Sequence, residues 1–160
     1  MMILRNAPPS PFGRKVRIAA DILGQTDGIT IENTDTNDPA DPVRRQNPIG
    51  KIPVLILEDS TTLFDSRVIL EYLDHRAGGD RIIPREADAR FAALRLQAVC
   101  DGVMDASILR IYEVRFRPAE RRESKWLSIA RFSAETTGNS VASIALGSVG
   151  RGDEIRTLFC

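Results

Sequence analysis

The segment from Asn47 to Ser66 constrains the fold of this chain more than any other, because it predicts a hairpin that runs directly into a helix. Val54–Leu57 is a continuous run of apolar, strand-forming residues, and Thr61–Phe64 follows it after a short polar turn. Asp65 or Ser66 can then cap the helix that comes next. We therefore expect a strand, a tight turn, a second strand and a helix start in close succession.

Pro53 is the unusual residue of this segment, since it stands at the beginning of the first strand. Proline cannot donate a hydrogen bond to a strand ladder, so it marks an edge, a bulge or a sharp turn. The peptide bond before proline is also the one most readily found in the cis form. A cis Ile52–Pro53 bond would turn the backbone N–H and C=O of Ile52 outward, toward an extended ligand. Most peptide bonds before proline are trans, so the residue type alone favours a trans Ile52–Pro53 bond. A prediction of the cis form depends on the neighbouring motifs.

Upstream, Ser10 is predicted to lie at the start of a helix that follows a first strand, Met2–Arg5. Serine is a favoured N-cap, proline is favoured at the first helical position, and Gly24 is suited to end the helix. The apolar positions recur on one helical face: Phe12, Val16, Ala19, Ala20 and Leu23. A bound group near Ser10 would meet the backbone N–H groups and the positive end of the helix dipole. The alternative is that Ser10 is only a cap.

The remaining elements of the first half complete a small mixed sheet. Ile29–Glu32 is a second strand, Val43–Gln46 a helical turn, and Ser66–Arg76 a helix. A helix between the first two strands predicts a parallel pair, and the short turn at Asp59 predicts an antiparallel one. We therefore predict an α/β domain with the order β-α-β-α-β-β-α over residues 1–78.

The second half of the chain has an all-helical pattern. Residues 79–86 read as a linker, and residues 87–160 as a short or divergent helical domain. Ala87–Phe116 is predicted as one long helix, and a second helix is predicted from Ala119 to about Phe132. From Thr136 onward, glycine, serine and threonine dominate and no confident helical face remains.

Composition excludes several classes of function. The chain has 22 Lys/Arg against 22 Asp/Glu, so nothing indicates a nucleic-acid partner. No apolar run approaches the roughly 18 residues of a membrane span, and the N-terminus does not resemble a signal peptide. Cys100, Cys160 and the single His75 form neither a disulfide framework nor a metal site. We expect a cytoplasmic protein without a metal.

Three motifs together resemble the glutathione S-transferase family. They are SPFGRKVR after the first strand, NPIGKIPVL, and DS at the start of the third helix, and the resemblance covers about residues 2–77. The segments LRLQAVCDGVMDASILRIYEVR and ERRESKWL are similar to the start of the helical second domain of bacterial members. The resemblance implies a thioredoxin-like N-terminal domain and a partial helical C-terminal domain. It fades after about Leu127.

The resemblance also implies roles for particular residues. Ser10 matches the catalytic serine of serine-type members, whose hydroxyl stabilises the thiolate of glutathione. Ser rather than Cys at this position favours thiolate stabilisation over disulfide exchange. Ile52 is expected to offer its backbone to the cysteinyl part of glutathione, and Pro53 is now expected to be cis. Cys100 is expected to be a core residue.

Three further residues match the glutathione-binding positions of the family. Asp65 and Ser66 match the acidic-serine pair that binds the γ-glutamyl end, although most relatives have Glu at the first of these positions. Lys51 matches a lysine that approaches the glycyl carboxylate in some classes. Helix capping by Asp65 and Ser66, and a solvated surface role for Lys51, are the alternatives.

The resemblance implies the function of a glutathione transferase, with glutathione as co-substrate. It also implies a homodimer as the expected assembly. It would attach glutathione to a small hydrophobic electrophile, as in detoxification. The alternative is a non-catalytic binding protein of the same fold, or an inactive truncated fragment, because the helical domain is short.

Overall fold

The computed structural model describes residues 1–128 and separates the chain into two compact units, Met1–Glu86 and a second one that begins at Ala87. The first unit contains four strands and three helices in the order predicted from the sequence. Its elements are β1 (Met2–Asn6), α1 (Pro11–Ile22), β2 (Ile29–Asn33), α2 (Val43–Gln46), β3 (Val54–Ile56), β4 (Thr62–Leu63) and α3 (Ser66–Arg76). A 3-10 turn, Thr26–Gly28, precedes β2.

The four strands form one mixed sheet in the order β2-β1-β3-β4. β1 is parallel to β2 and antiparallel to β3, and β3 is antiparallel to β4. Leu4 lies opposite Ile31 on one side and Leu55 on the other. The parallel pair and the hairpin predicted from the sequence are both confirmed, and the arrangement is thioredoxin-like.

The core of the first unit forms where α1 and α3 contact each other beside the buried middle of the sheet. Each fully buried aliphatic side chain contributes about 1.5–3 kcal/mol through removal from water. Four residues of the apolar face predicted for the first helix are buried, namely Val16, Ala19, Ala20 and Leu23, whereas Phe12 is only partly buried. The most completely buried side chains of this core come from several elements. They include Leu4, Val16, Ala19, Val54, Leu55, Ile69, Leu70 and Leu73, none more than 1% exposed.

A buried carboxylate ties the segment after α3 to the core. Asp74 is 5% exposed and accepts hydrogen bonds from the backbone N–H groups of Asp80, Arg81 and Ile82, at 3.1, 3.0 and 2.8 Å. Ile82 and its neighbour Ile83 are buried as a result. The residues that the sequence indicated as a linker are therefore held against the first unit at their centre.

The second unit is described as far as residue 128, and its main element is α4 (Ala87–Phe116). This helix was predicted with the same bounds, and it passes through Gly102 without a break. Apart from Glu113 near its end, its buried positions follow a helical repeat: Ala93, Leu96, Gln97, Cys100 and Asp101. Cys100 is thus buried, as expected for a core residue.

The helix predicted to begin at Ala119 was placed wrongly. Ala119–Arg121 is a single 3-10 turn, and helical residues begin only at 124. Arg122 is extended, and the backbone N–H of Glu123 donates to the Glu113 carboxylate at 3.2 Å instead of to a helical carbonyl. The Glu123 carboxylate in turn accepts from the N–H of Lys125. The end of this predicted helix, the region after Thr136 and Cys160 lie outside the described residues.

Two classes of feature are absent from residues 1–128. No helix in this range is both long enough and apolar enough to cross a membrane. Likewise, no group of three or more His, Cys, Asp or Glu side chains within it is placed to hold a metal ion.

Replacing Asp74 tests how the segment after α3 is held. Asp74→Ala should lower the free energy of unfolding by about 2–3 kcal/mol, because a buried N–H group loses its acceptor. Asp74→Asn should lose roughly half as much, since one side-chain oxygen can still accept from Arg81 and Ile82. Asp21→Ala, at an exposed position on α1, is the control and should change stability by about 0.5 kcal/mol or less. Denaturant unfolding measures all three, and equal losses in the Ala and Asn variants would contradict the proposed geometry.

Candidate functional site

Ser10 is the N-cap of α1, and its hydroxyl is already engaged as an acceptor. Its backbone is extended, and its Oγ accepts a hydrogen bond from the N–H of Gly13 at 3.1 Å. Its own N–H donates to Ala7 and its C=O accepts from Arg14. Because a hydroxyl has one proton and two lone pairs, the bond to Gly13 leaves the proton available for donation. The cap predicted from the sequence is therefore present, and the Ser10 hydroxyl can still donate its proton to another group.

Asn47 organises the turn that leads to Ile52. Its side chain is 2% exposed; Nδ2 donates to the carbonyl of Lys51 at 2.8 Å, and Oδ1 accepts from the N–H of Ile49 at 3.0 Å. Gly50 has a φ of +68°, which glycine adopts without steric cost. The turn therefore closes on itself and fixes the backbone immediately before Ile52.

A second set of contacts anchors this turn to the sheet. Arg5 on β1 donates to the side-chain carbonyl of Gln46 on α2 at 3.0 Å and pairs with Glu32 on β2 at 2.9 Å. The backbone N–H of Asn47 donates to Val43, which is fully buried. One arginine thus connects two strands to the short helix that precedes the turn.

The segment after the turn places Ile52 and Pro53 at the start of β3. The Ile52–Pro53 peptide bond is cis, as is the Phe64–Asp65 bond further along the chain. Pro53 is buried, Ile52 is partly buried and Lys51 is exposed.

Asp65 and Ser66 lie at the beginning of α3. Asp65 is its N-cap and is exposed, and its Oδ1 accepts from the N–H of Arg67 at 2.9 Å. Ser66 is the first residue of the helix and is only 1% exposed. Capping of this helix, which the sequence offered as an alternative role, is therefore present for Asp65.

The topology brings these three segments to one edge of the sheet. β1 ends at this edge and leads to Ser10. β3 runs antiparallel to β1, with Val54 opposite Arg5, so Ile52 and Pro53 enter the sheet at the same edge. β4 runs antiparallel to β3 and leaves there toward Asp65.

Three residues that build this edge had no role predicted from the sequence: Asn6, Gly13 and Asn47. The Asn47-Pro48 dipeptide was a turn signal, but nothing local showed that the amide would be buried with two backbone partners. A glycine in the first turn of a predicted helix was a signal of close backbone approach at Gly13. Asn6 gave no signal at all.

The sequence and the fold of this chain are both similar to those of known proteins. The sequence model for the glutathione S-transferase N-terminal domain matches residues 4–81. A solved glutathione S-transferase from Methylobacillus flagellatus KT, with glutathione bound, is 34% identical; the alignment covers 99% of this chain and 78% of that one, with a TM-score of 0.87. The chain belongs to the glutathione S-transferase family.

Three further proteins are similar to this chain in sequence or structure. A glutathione transferase family member from Pseudomonas fluorescens Pf-5, solved with bound glutathione, is 32% identical, with 99% of this chain and 80% of that chain covered and a TM-score of 0.84. The uncharacterized GST-like protein YibF of Escherichia coli K12 is 32% identical over 125 residues, 74% of this chain. A stringent starvation protein A homologue of Coxiella burnetii is 36% identical over 84 residues, 52% of this chain. This chain spans 57% and 39% of the lengths of these last two relatives.

The turn at Asn47 can be tested directly. Asn47→Ala should lower the free energy of unfolding by about 1–3 kcal/mol, because the N–H of Ile49 and the C=O of Lys51 lose their partner. Hydrogen exchange at the Ile49 amide should become faster. Asn37→Ala removes an amide from an exposed loop and is the matched control, with an expected change of about 0.5 kcal/mol or less. Similar losses in the two variants would show that the buried amide does not hold the turn.

Proposed function

We propose that this family member binds glutathione at the edge of the sheet where Ser10, Ile52–Pro53 and Asp65–Ser66 meet, and that it stabilises the glutathione thiolate for attack on a hydrophobic electrophile. The observation that carries the proposal is the shared edge, because three separate segments place there an N-cap hydroxyl, the backbone that leads into β3, and a helix N-terminus capped by a carboxylate. Two solved relatives above 30% identity hold glutathione.

The proposed chemistry depends on the protonation state of one thiol. A free thiol has a pKa of about 8.5, so most of it is protonated near pH 7. The Ser10 hydroxyl would donate its proton to the sulfur while still accepting from Gly13. Such a charge-assisted bond is worth about 1.5–3 kcal/mol, and the positive end of α1 adds to it. Both interactions favour the thiolate and so lower the pKa of the bound thiol.

The remaining contacts would hold the tripeptide in place. The backbone of Ile52 would pair with the cysteinyl part, and exposed Lys51 would meet the glycyl carboxylate. Asp65 would accept from the γ-glutamyl ammonium, since a carboxylate that accepts from Arg67 retains further lone pairs. Because Ser66 is only 1% exposed, we assign attraction of the α-carboxylate to the N-terminus of α3 as a whole.

The proposal also covers the cellular compartment, the type of reaction and the oligomeric state. We place the reaction in the cytoplasm, where glutathione keeps thiols reduced, and we propose a detoxifying conjugation by a homodimer.

A second candidate is a binding protein of the same fold without turnover. The end of α4 favours it, because large apolar side chains are exposed there: Leu109, Ile111, Tyr112, Val114 and Phe116. Tyr112 and Phe116 stack edge to face, 5.3 Å apart.

Calorimetry with glutathione, beside turnover of a generic aryl halide, separates these functions. We expect binding and turnover in the parent chain. Ser10→Ala should reduce turnover about tenfold to a hundredfold and leave binding nearly intact, because one charge-assisted bond to the sulfur is lost. Binding without turnover in the parent would favour the second candidate, and no binding would refute the proposed site.

Ser10→Asp controls for the loss of the helix cap. Aspartate caps a helix as well as serine does, so stability should stay near that of the parent. It has no proton to donate at neutral pH, and its charge repels the thiolate. Turnover by this variant should therefore fall below that of Ser10→Ala. A recovery of turnover in Ser10→Asp would mean that Ser10 acts only as a cap.

Asp65→Asn separates capping from ligand binding at α3. Asparagine keeps an oxygen for the N–H of Arg67, so the stability should be nearly unchanged. The loss of charge should weaken glutathione binding about tenfold or more, measured by calorimetry. Asp59→Asn changes an exposed carboxylate in the β3–β4 turn and should leave binding as it is. Equal affinities for the two variants would remove Asp65 from the proposed site.

A further inference from the structure

Asn6 is a buried polar residue whose side chain has an unsatisfied atom. It is the last residue of β1, its side chain is among the buried polar groups at 4% exposure, and its Oδ1 has no hydrogen-bond partner. Its backbone C=O is satisfied, since it accepts from the N–H of Thr34 at 2.9 Å. Nearly all buried polar atoms in proteins are paired, so an unpaired one calls for a reason.

The neighbour of this side chain is Gly13, in the first turn of α1. A β-carbon placed on Gly13 would lie 1.7 Å from Oδ1 of Asn6 and 2.7 Å from its Cγ, far inside contact distance. The Asn6 amide thus occupies the space that any larger residue at position 13 would need. Glycine destabilises a helix relative to alanine, so its presence in α1 needs a reason such as this close contact. Gly102 in α4 provides the contrast, because nothing lies within 4 Å of a β-carbon placed there.

Gly13 is also the residue that orients the hydroxyl of Ser10, through its N–H bond to Oγ. We infer that Asn6 is a positioning residue for Ser10, acting through its contact with Gly13. The contact fixes how closely the first turn of α1 approaches the end of β1, and so where the N–H that holds the Ser10 hydroxyl lies. This inference rests on the proposed function, in which Ser10 donates to the glutathione sulfur.

Two locally unfavourable choices coincide at this contact: an unpaired buried amide oxygen and a helical glycine. Departures of this kind from local preference are expected where a site, rather than stability, sets the sequence. A contact that served only packing would affect stability and leave the thiol pKa alone. A positioning contact would move the thiol pKa and kcat, so the two roles have different readouts.

A cycle of variants tests the inference: Gly13→Ala, Asn6→Ala, the double variant, and Gly102→Ala as a matched helical control. The readouts are kcat with an aryl halide and the pKa of bound glutathione, followed by thiolate ultraviolet absorbance. Gly13→Ala should lower kcat about tenfold to a hundredfold and raise the thiol pKa, because the methyl group pushes the first turn away from Asn6. The double variant should recover most of the loss, since the methyl group of Ala at position 13 then takes the space of the missing amide and again sets how closely the first turn of α1 approaches β1. Gly102→Ala should match the parent in both readouts.

Several results would overturn the inference. It fails if Gly13→Ala keeps the parent's kcat and thiol pKa, or if the double variant is as impaired as Gly13→Ala. A loss of stability without a change in thiol pKa would reduce the contact to packing.

Failure of the proposed function is recognised separately, by an absence of glutathione binding in the parent. In that case the amide resonance of Ser10 in nuclear magnetic resonance spectra decides. A shift in Gly13→Ala that the double variant reverses supports positioning of Ser10 by Asn6, and no reversal refutes it.

Discussion

The pairing of β1 with β3 is the constraint on which the rest of the first unit depends. Antiparallel pairing with Val54 opposite Arg5 brings the start of β3 to the edge where β1 ends. The hairpin then returns β4 to that edge, beside β3. Without this register, the three segments of the candidate site would leave the sheet at different places. The apolar residues that fix the register, Leu4 and Leu55 among them, are at most 1% exposed, so the hydrophobic core and the site are set by the same contacts.

Buried polar side chains carry out a second task, which is to hold irregular backbone next to regular elements. Asp74 accepts from three N–H groups after α3, and Asn47 satisfies a donor and an acceptor in the turn before Ile52. These loops would otherwise place backbone groups in the interior without partners, which is costly. Asn6 differs from both, because its amide oxygen has no partner and lies against a glycine. This unpaired oxygen lies against Gly13, whose N–H donates to the hydroxyl of Ser10, and this is the basis for the inference that Asn6 positions Ser10.

Helix N-termini recur at the candidate site and explain why capping and binding are not competing roles. Both Ser10 and Asp65 accept from an N–H of the helix they cap. A hydroxyl still has a proton to donate, and a carboxylate still has lone pairs to offer. A residue that caps a helix therefore still has a donor or an acceptor left for a ligand, so that a cap on its own argues neither for nor against a binding role.

Much of this protein was determined by its sequence alone, where the signal is local. The period of apolar residues, the Ser-Pro helix start and the polar turn at Asp59 predicted every helix and strand of residues 1–78, and α4 with its bounds. The helix after Pro118 was misplaced because Glu113 and Glu123, ten positions apart, interact only once the chain has folded. Tertiary structure alone decided that Asn47 would be buried, that Ser66 would be almost inaccessible, and that the Asn6 amide would fill the space beside Gly13. These outcomes depend on contacts between residues distant in sequence or on the packing of whole elements, and no local pattern encodes such contacts.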